Sequence, residues 1–326
     1  MRMTANLQAD QKKPLITVVM AVYRPNEDWL KEQLQSLDRQ SYQNLELIIC
    51  DDCPDEPVEE AFFKRHIGKL PFRLLRNDRN MGSNKTFEKL TTEAGGQYIA
   101  YCDQDDIWED GKIELLVRRL EATNAVLCYS DVSVIDGKGN KIADSITKLR
   151  RRHVFREGEA LAPELLVRNY VMGCAMLVRT DIAKAAVPFE NGMVHDHWLA
   201  LYAALNGRLS FEPTATVLYR QHGSNQTGVL MGVATKDDYL NLRIKVFLAR
   251  TDSLRKRLEE YDVIQQPLMK TIEWALSREA YFRRPSPRNL KRLWKLRDCG
   301  IAYTVFEAFI PIMPASLFKK VIRLLK

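Results

Sequence analysis

Four short apolar runs, each closed by polar residues and separated from the next by a stretch of helical periodicity, dictate the architecture of the first third of this chain. Leu15 to Val22 is a continuous, β-branched run. Leu45 to Cys50 closes at Asp51-Asp52, Phe72 to Leu75 leads into Asn77-Asp-Arg-Asn-Met-Gly82, and Tyr98 to Cys102 ends in Asp103-Gln-Asp-Asp106. Runs that are apolar at every position, rather than at alternate ones, are strands buried on both faces, the mark of a parallel sheet. Between them, Glu27 to Gln40 sets Trp29, Leu30, Leu34 and Leu37 on one stripe. Glu56 to His66 is expected to be helical, and a third helix, capped by Ser83 or Asn84, runs to Ala94 and stops at Gly95-Gly96. The order β-α-β-α-β-α-β predicts an α/β fold with a Rossmann-like, mostly parallel central sheet and helices on both faces. Ligands of such sheets bind beyond the carboxyl ends of the strands. Tyr23, Asp51-Asp52, Asn77 to Gly82 and Asp103 to Asp106 are therefore expected to converge.

The acid-tipped fourth strand carries the chemistry. Asp103, Asp105 and Asp106 place three like charges on four residues, and a divalent cation is the simplest compensation. Hard oxygen ligands point to Mg²⁺ or Mn²⁺ rather than zinc. The alternative is a solvated acidic turn that caps a helix starting near Glu109. No Gly-x-Gly-x-x-Gly and no Gly-x-x-x-x-Gly-Lys-Ser/Thr occurs, which excludes a dinucleotide-cofactor fingerprint and a P-loop.

Composition narrows the class. With 326 residues, 46% hydrophobic and 28% charged, the chain has the make-up of a soluble globular protein. Residues 1–14 are polar and read as a flexible N-terminus without a secretory signal. No uninterrupted apolar stretch reaches the roughly 18 to 20 residues of a membrane span. Six scattered cysteines, of which Cys50 and Cys53 form only half a zinc site, suit a reducing cytoplasm. The net charge of +7 is uneven: residues 241–326 hold nineteen Lys and Arg against eight Asp and Glu. No nucleic-acid motif accompanies this surplus, so nucleic acid is not an expected partner.

Beyond the fourth strand the pattern loosens. Val126 to Val134 reads as a strand, followed by a turn at Asp136-Gly-Lys-Gly-Asn140. Thr147 to Gly158 is strongly basic and reads as a mobile loop over the site or a solvated charged loop. Val171 to Val178 is expected to be a strand around Gly173. His195-Asp-His precedes a nearly all-apolar helix from Trp198 to Leu205, stopped by Gly207. Asp196 at its start is a helix cap, part of a His-Asp-His metal cluster, or a functional carboxylate. Tyr219-Arg-Gln-His-Gly-Ser-Asn-Gln226 is a polar loop after a strand. Helices are expected over Asp237 to Tyr261, Gln265 to Arg283 and Asn289 to Leu296, while Ala308 to Met313 is apolar but broken by Pro311 and Pro314. At the C-terminus Leu317, Phe318, Val321, Ile322 and Leu325 share one helix face, opposite Lys319, Lys320, Arg323 and Lys326. Such a face lies in a membrane interface, docks on the catalytic region, or joins a second subunit as a homodimer.

Taken together, Val18-Val-Met-Ala-Val-Tyr23, Ile48-Ile-Cys-Asp-Asp52, Arg79-Asn-Met-Gly82 and Cys102-Asp-Gln-Asp-Asp106 resemble the inverting family-two glycosyltransferases of GT-A fold. The resemblance covers about residues 15–225. It implies a GT-A catalytic domain over 15–228, with a nucleotide-binding half (15–106) and an acceptor half (107–228), followed by a basic helical C-terminal segment (229–326). It further implies that Asp105 coordinates Mn²⁺ or Mg²⁺ and that His222 returns to the metal from a late loop. Asp103 would face the ribose or the metal shell. Asp51 or Asp52 would accept the pyrimidine N3–H, Ala21 and Tyr23 would line the base pocket, and Asn80 and Gly82 would complete the nucleotide set. Asp196 would be the catalytic base. Cys53-Pro54 after Asp52 departs from the small residue and Ser that the family often has. The motifs around Trp108, Trp198 and His222 are most similar to the bacterial rhamnosyltransferase-like branch. This implies a dTDP-rhamnose or UDP-sugar donor, a glycan or lipid-linked glycan acceptor, and a cytoplasmic enzyme, peripheral on the inner face of the plasma membrane.

Three other functions fit parts of the pattern. An Asp-x-Asp phosphatase would place the motif on its first strand rather than its fourth. A nucleotidyltransferase would want a Gly-, Arg- or Lys-rich phosphate loop where only Tyr23-Arg-Pro stands. A nucleotide-sugar-binding scaffold would bind donor without turnover.

Overall fold

A computed structural model describes residues 13–223, 230 and 232–325. The flexible N-terminus expected over 1–14 lies almost wholly outside the described residues, as do Asn225, Gln226, the domain boundary at 228/229 and Lys326. One nine-stranded sheet organises the chain. Its first half is β1 (Ile16–Val22), α1 (Glu27–Asp38), β2 (Leu45–Asp51), α2 (Glu60–His66), β3 (Phe72–Arg76), α3 (Ser83–Glu93) and β4 (Tyr98–Cys102). The strands lie in the order β3-β2-β1-β4, all parallel. Each element follows from its residues. Nearly every side chain of β1, β2 and β4 is buried, as central strands covered on both faces must be. Helix α1 starts at Asn26, whose side chain accepts the N–H groups of Asp28 and Trp29, and buries Leu30, Leu34 and Leu37. Pro57 and the bonded loop around Asp51 delay α2 to Glu60, four residues later than expected.

The sheet continues through β8, β6, β9 and β5, with β7 (Lys141–Ala143) beside β6. Here β5 is Ile107–Trp108, β6 is Leu127–Ile135, β8 is Met176–Arg179 and β9 is Leu209–Arg220. Antiparallel pairing of β8 with both β4 and β6 makes the sheet mixed at this point. Side chains alternate between two cores. Val19, Ile48, Ile99 and Tyr101 face one with Trp198 and Leu199, while Val18, Met20, Ile49 and Ala100 face the other with Leu30 and Leu116.

Two expectations are corrected in this half. The helix expected near Glu109 is α4 (Lys112–Ala122), because Ile107 and Trp108 first pair with Leu218 and Val217 of β9. The strand expected over Val171 to Val178 is a 3₁₀ turn (Gly173–Ala175) followed by β8. The backbone turns away at Gly173, whose N–H is spent on Asp196. Helices α5 (Thr180–Ala185) and α6 (His195–Asn206) then cover one face.

The C-terminal residues are helical: α7 (Val246–Arg257), α8 (Asp262–Arg283), α9 (Pro287–Lys295), α10 (Ile301–Phe309) and α11 (Ala315–Leu325). They are not a detached appendage, since Leu254, Ile264 and Leu268 join the core around Trp198. Phe318 and Ile322 of α11 pack on Tyr239, Ile244 and Ile310, so these two of the five expected face residues dock on the chain's own helices. Leu317 stays exposed. Helix α10 had no expected counterpart. Among the described residues no helix is long and apolar enough to cross a membrane.

Candidate active site

Parallel pairing puts the carboxyl ends of β3, β2, β1 and β4 side by side, and the predicted residues of those tips meet there. The Asp52 carboxylate ties its own strand tip to the Asn77 to Gly82 segment. Its Oδ1 accepts from Asn77 Nδ2 (2.7 Å) and the Met81 N–H (2.8 Å), and its Oδ2 from the Gly82 N–H (2.8 Å). Gly82 sits at φ +79°, a conformation that favours glycine, and its N–H also reaches the Asn80 side chain at 2.9 Å. Asp51 instead shapes its own loop through the N–H groups of Cys53 (3.0 Å) and Val58 (2.7 Å). Ala21 is partly buried and Tyr23 exposed. A cleft of about 450 Å³ lined by Arg24, Pro25, Val58 and Phe62 opens beside these tips. A larger cavity, about 600 Å³, lies by Gln97 and Arg179 at the opposite end of β4, away from the carboxylates.

The Asp103 to Asp106 turn is held from several sides. Gln104 clamps it to β1, accepting from the Tyr23 N–H (2.8 Å) and donating to the Tyr23 carbonyl (3.1 Å). Arg220 Nε donates to the Asp105 carbonyl (2.8 Å), and the Arg220 N–H donates to Asp106 Oδ1 (2.9 Å). The Arg220 guanidinium, almost fully buried, is paired with Glu32 at 2.5 Å. His222 Nε2 lies 2.8 Å from Asp105 Oδ2 and its ring packs against Trp29. Asp105 and His222 thus meet, although they stand far apart in the chain.

Asp103 and Asp106 sit deeper, within 4.8 Å of each other and of the Cys174 thiol. Burial, and then the charges of Asp106, Asp105 and Asp196, hold the Asp103 carboxyl well above the usual carboxylate range. Burial with the Asp105 charge pushes Asp106 up to about 7, against the Arg220 N–H and the Cys174 thiol, which bond to it. Below them the buried Lys112 ammonium donates to the Cys174 carbonyl and lies 3.2 Å over the Trp108 ring. Burial also keeps the Cys174 thiol protonated, which disqualifies sulfur as a ligand for a hard cation. The donors that suit Mn²⁺ or Mg²⁺ are the carboxylates and His222. Mutually repelling buried carboxylates are what such a cation would relieve.

Asp196 lies in the first turn of α6, close enough to Asp103 to raise its pKa. It is not the helix cap, a place taken by Val194. Its Oδ1 accepts from Asn169 Nδ2 (3.0 Å) and its Oδ2 from the Gly173 N–H (3.1 Å). Burial outweighs these bonds and lifts the carboxyl to about 6. The flanking histidines turn inward. His197 Nε2 bonds the Leu165 carbonyl at 2.6 Å, and His195 packs against Phe87 and Tyr101. Burial lowers both to about 3, so both are neutral, and the Leu165 bond and the aromatic packing turn them away from Asp196.

Sequence reasoning had assigned no role to Gln104, Lys112, Asn169 or Arg220. Gln104 is the central residue of Asp-x-Asp, and Arg220 stands two residues before His222. Nothing local marks the other two.

An α/β sheet with this strand order and an acid-tipped β4 defines the GT-A class of nucleotide-sugar folds. Among solved structures with a similar fold is the crystal structure of Staphylococcus aureus TarS 1-349 in complex with UDP-GlcNAc. That chain superposes with a TM-score of 0.57 at 14% identity, over 86% of this chain and 79% of TarS 1-349, a likeness of fold alone. A family model, Glycosyl transferase family 2, matches residues 17–185, just over half of the chain. The chain belongs to glycosyltransferase family 2. Among its relatives, the dTDP-rhamnosyl transferase RfbG of Shigella flexneri is 26% identical over 242 residues, 68% of this chain and 78% of RfbG. The UDP-Glc:alpha-D-GlcNAc-diphosphoundecaprenol beta-1,3-glucosyltransferase WfgD of Escherichia coli is 25% identical over 189 residues, 57% of this chain and 69% of WfgD. An uncharacterized glycosyltransferase of Methanocaldococcus jannaschii is 29% identical over 170 residues, half of this chain. The match spans 59% of that relative's length.

Proposed function

We propose that the chain is a metal-dependent, inverting glycosyltransferase that moves a sugar from a nucleoside diphosphate sugar to a hydroxyl of a glycan or lipid-linked glycan. The observation that carries this reading is that Asp196, its carboxyl raised to about 6, bonds Gly173 beside Cys174, whose thiol lies within 4.8 Å of Asp103 and Asp106. Ala21, Tyr23, Asp51 or Asp52, Asn80, Gly82 and Asp103 bind the nucleotide, and Asp105 and His222 hold the cation. Bound there, Mn²⁺ or Mg²⁺ supplies positive charge against a diphosphate leaving group. Asp196 accepts the proton of the acceptor hydroxyl as its oxygen bonds to the anomeric carbon and the bond to diphosphate breaks. Attack from the opposite face inverts the anomeric configuration. In this reading residues 15–228 form the catalytic unit, with residues 15–106 for donor and 107–228 for acceptor. The names of RfbG and WfgD support dTDP-rhamnose or a UDP-sugar as donor, and that of WfgD supports a lipid-linked glycan as acceptor. Six unpaired cysteines, five of them buried, suit work in the cytoplasm.

A thermal-shift screen of UDP-, dTDP- and GDP-sugars with and without Mn²⁺ tests this reading, because stabilisation grows with ligand concentration over dissociation constant. The expected result is a shift with one nucleotide class that needs Mn²⁺ and disappears in Asp105→Ala, whose own melting temperature is unchanged. A metal-independent shift retained in Asp105→Ala would overturn the metal assignment. Donor binding without any turnover would favour a scaffold.

A further inference from the structure

Helix α10 is built inside out. Its inward side, beside Phe306, carries buried polar groups: Thr304 is buried and accepts the Trp274 indole N–H at 2.9 Å. Glu307 is buried in a two-pronged pair with Arg278, 2.7 Å from Nε and 2.5 Å from Nη2. Its outward side is apolar. Ile301, Val305 and Phe309 recur every four residues and are 62%, 41% and 60% exposed, and Ile312 in the following turn is 65% exposed. Three large apolar side chains on one helix stripe, with Ile312 just beyond its end, are not what a solvated helix presents, and contiguous exposed apolar surface marks an interaction site. The surrounding chain is cationic. Residues 283–326 contain eleven Lys and Arg against two Asp and Glu. Of those two acids, Glu307 is consumed by Arg278 and Asp298 is bonded to Lys270. Arg288, Lys291, Arg292 and Lys295 on α9, and Lys319, Lys320 and Arg323 on α11, are all exposed.

We propose that the Ile301–Ile312 stripe, flanked by these cations, is a docking surface for an anionic lipid bilayer. It would lie in the interface with the apolar side chains among the acyl chains and the cations at the headgroups. Nine helical residues are too few to span, so the contact is peripheral. A second copy of the chain is a poorer occupant, because pairing this face with itself would bring two sets of cations together, of which Arg292 alone has an acidic partner, Glu273. The contact lies on α10 rather than on the expected face of α11, where Phe318 and Ile322 are already buried. The inference goes beyond the proposed activity and does not depend on it.

Co-sedimentation of the full chain with phosphatidylcholine–phosphatidylglycerol vesicles, beside pure phosphatidylcholine vesicles, tests it. The wild type is expected to partition onto the anionic vesicles, and high salt weakens this. Ile301→Ser with Phe309→Ser and Ile312→Ser lowers the partition by about tenfold or more with an unchanged melting temperature, since the side chains are exposed. Lys319→Glu with Lys320→Glu and Arg323→Glu lowers it on anionic vesicles only. Absence of wild-type partition, or equal partition of the apolar triple variant, would overturn the proposal. So would light scattering that finds a dimer dissociated by the same triple substitution.

Discussion

Replacing Gly173 by alanine tests whether the site depends on a close approach between the 3₁₀ turn and α6. A Cβ at Gly173 would lie 2.7 Å from Nε2 of His195 and 3.3 Å from Cβ of Asp196. Comfortable contact begins near 3.5 Å, so the imidazole must retreat by roughly 0.8 Å. It has nowhere easy to go, with Phe87 at 4.1 Å and Tyr101 at 5.5 Å between ring centres. Overpacking of this kind costs about 1–3 kcal/mol, a drop of several degrees in melting temperature. The larger effect falls on the neighbouring residue. Any shift of the α6 start moves Asp196 and stretches its 3.1 Å bond from the Gly173 N–H. A displacement approaching 1 Å costs on the order of 10²-fold in rate. Turnover of Gly173→Ala should therefore fall about 10²-fold while donor affinity, set at the strand tips, holds. Adding His195→Ala should make the two stability losses less than additive, because the second substitution removes the clash. Wild-type melting and turnover in Gly173→Ala, or strictly additive losses in the double variant, would refute the reasoning.

Two further predictions rest on buried charge. With the Asp196 carboxyl raised to about 6, its basic form is fully present above pH 7 and is lost as pH falls through 6. Turnover should thus be flat above pH 7 and fall about tenfold per unit well below 6, and a limb centred near the ordinary carboxylate value would contradict that environment. Glu307→Ala strands the Arg278 guanidinium, whose side chain is 4% exposed, and removes the acceptor of the Tyr239 hydroxyl. Urea unfolding should show a loss of about 3–5 kcal/mol, and a loss under 1 kcal/mol would mean that the pair is dispensable.

The parts of this fold that were legible in the sequence are those whose burial is uniform. β1, β2 and β4 are apolar at successive positions because both faces are covered, and their acidic ends mark where the cover stops. β5 escaped notice because two residues carry no period, and its identity depends on β9, more than a hundred residues away. The Val171 to Val178 run looked like one strand because apolar residues flank Gly173, whereas hydrogen bonding to Asp196 turns the backbone there. Helix α10 inverts the usual pattern, with Thr304 and Glu307 inside and Ile301 and Phe309 outside, so hydrophobic periodicity pointed nowhere. Within the site, Asp103, Asp105, Asp196 and His222 were visible as polar residues at element ends. The residues that position them were not. Gln104, Arg220, Lys112 and Asn169 act through partners brought near only by folding.

The most direct test is turnover of Asp196→Asn with the donor identified by the thermal-shift screen, measured beside donor affinity and melting temperature. Asparagine retains an oxygen that can accept from Asn169 or Gly173, so fold and donor binding should survive. It cannot take the proton of an acceptor hydroxyl at neutral pH, and positioned bases contribute about 10²- to 10⁴-fold. The predicted result is turnover lowered by at least the smaller factor, with donor affinity and melting temperature unchanged. Near-normal turnover in that variant would contradict the assignment of Asp196 as the base.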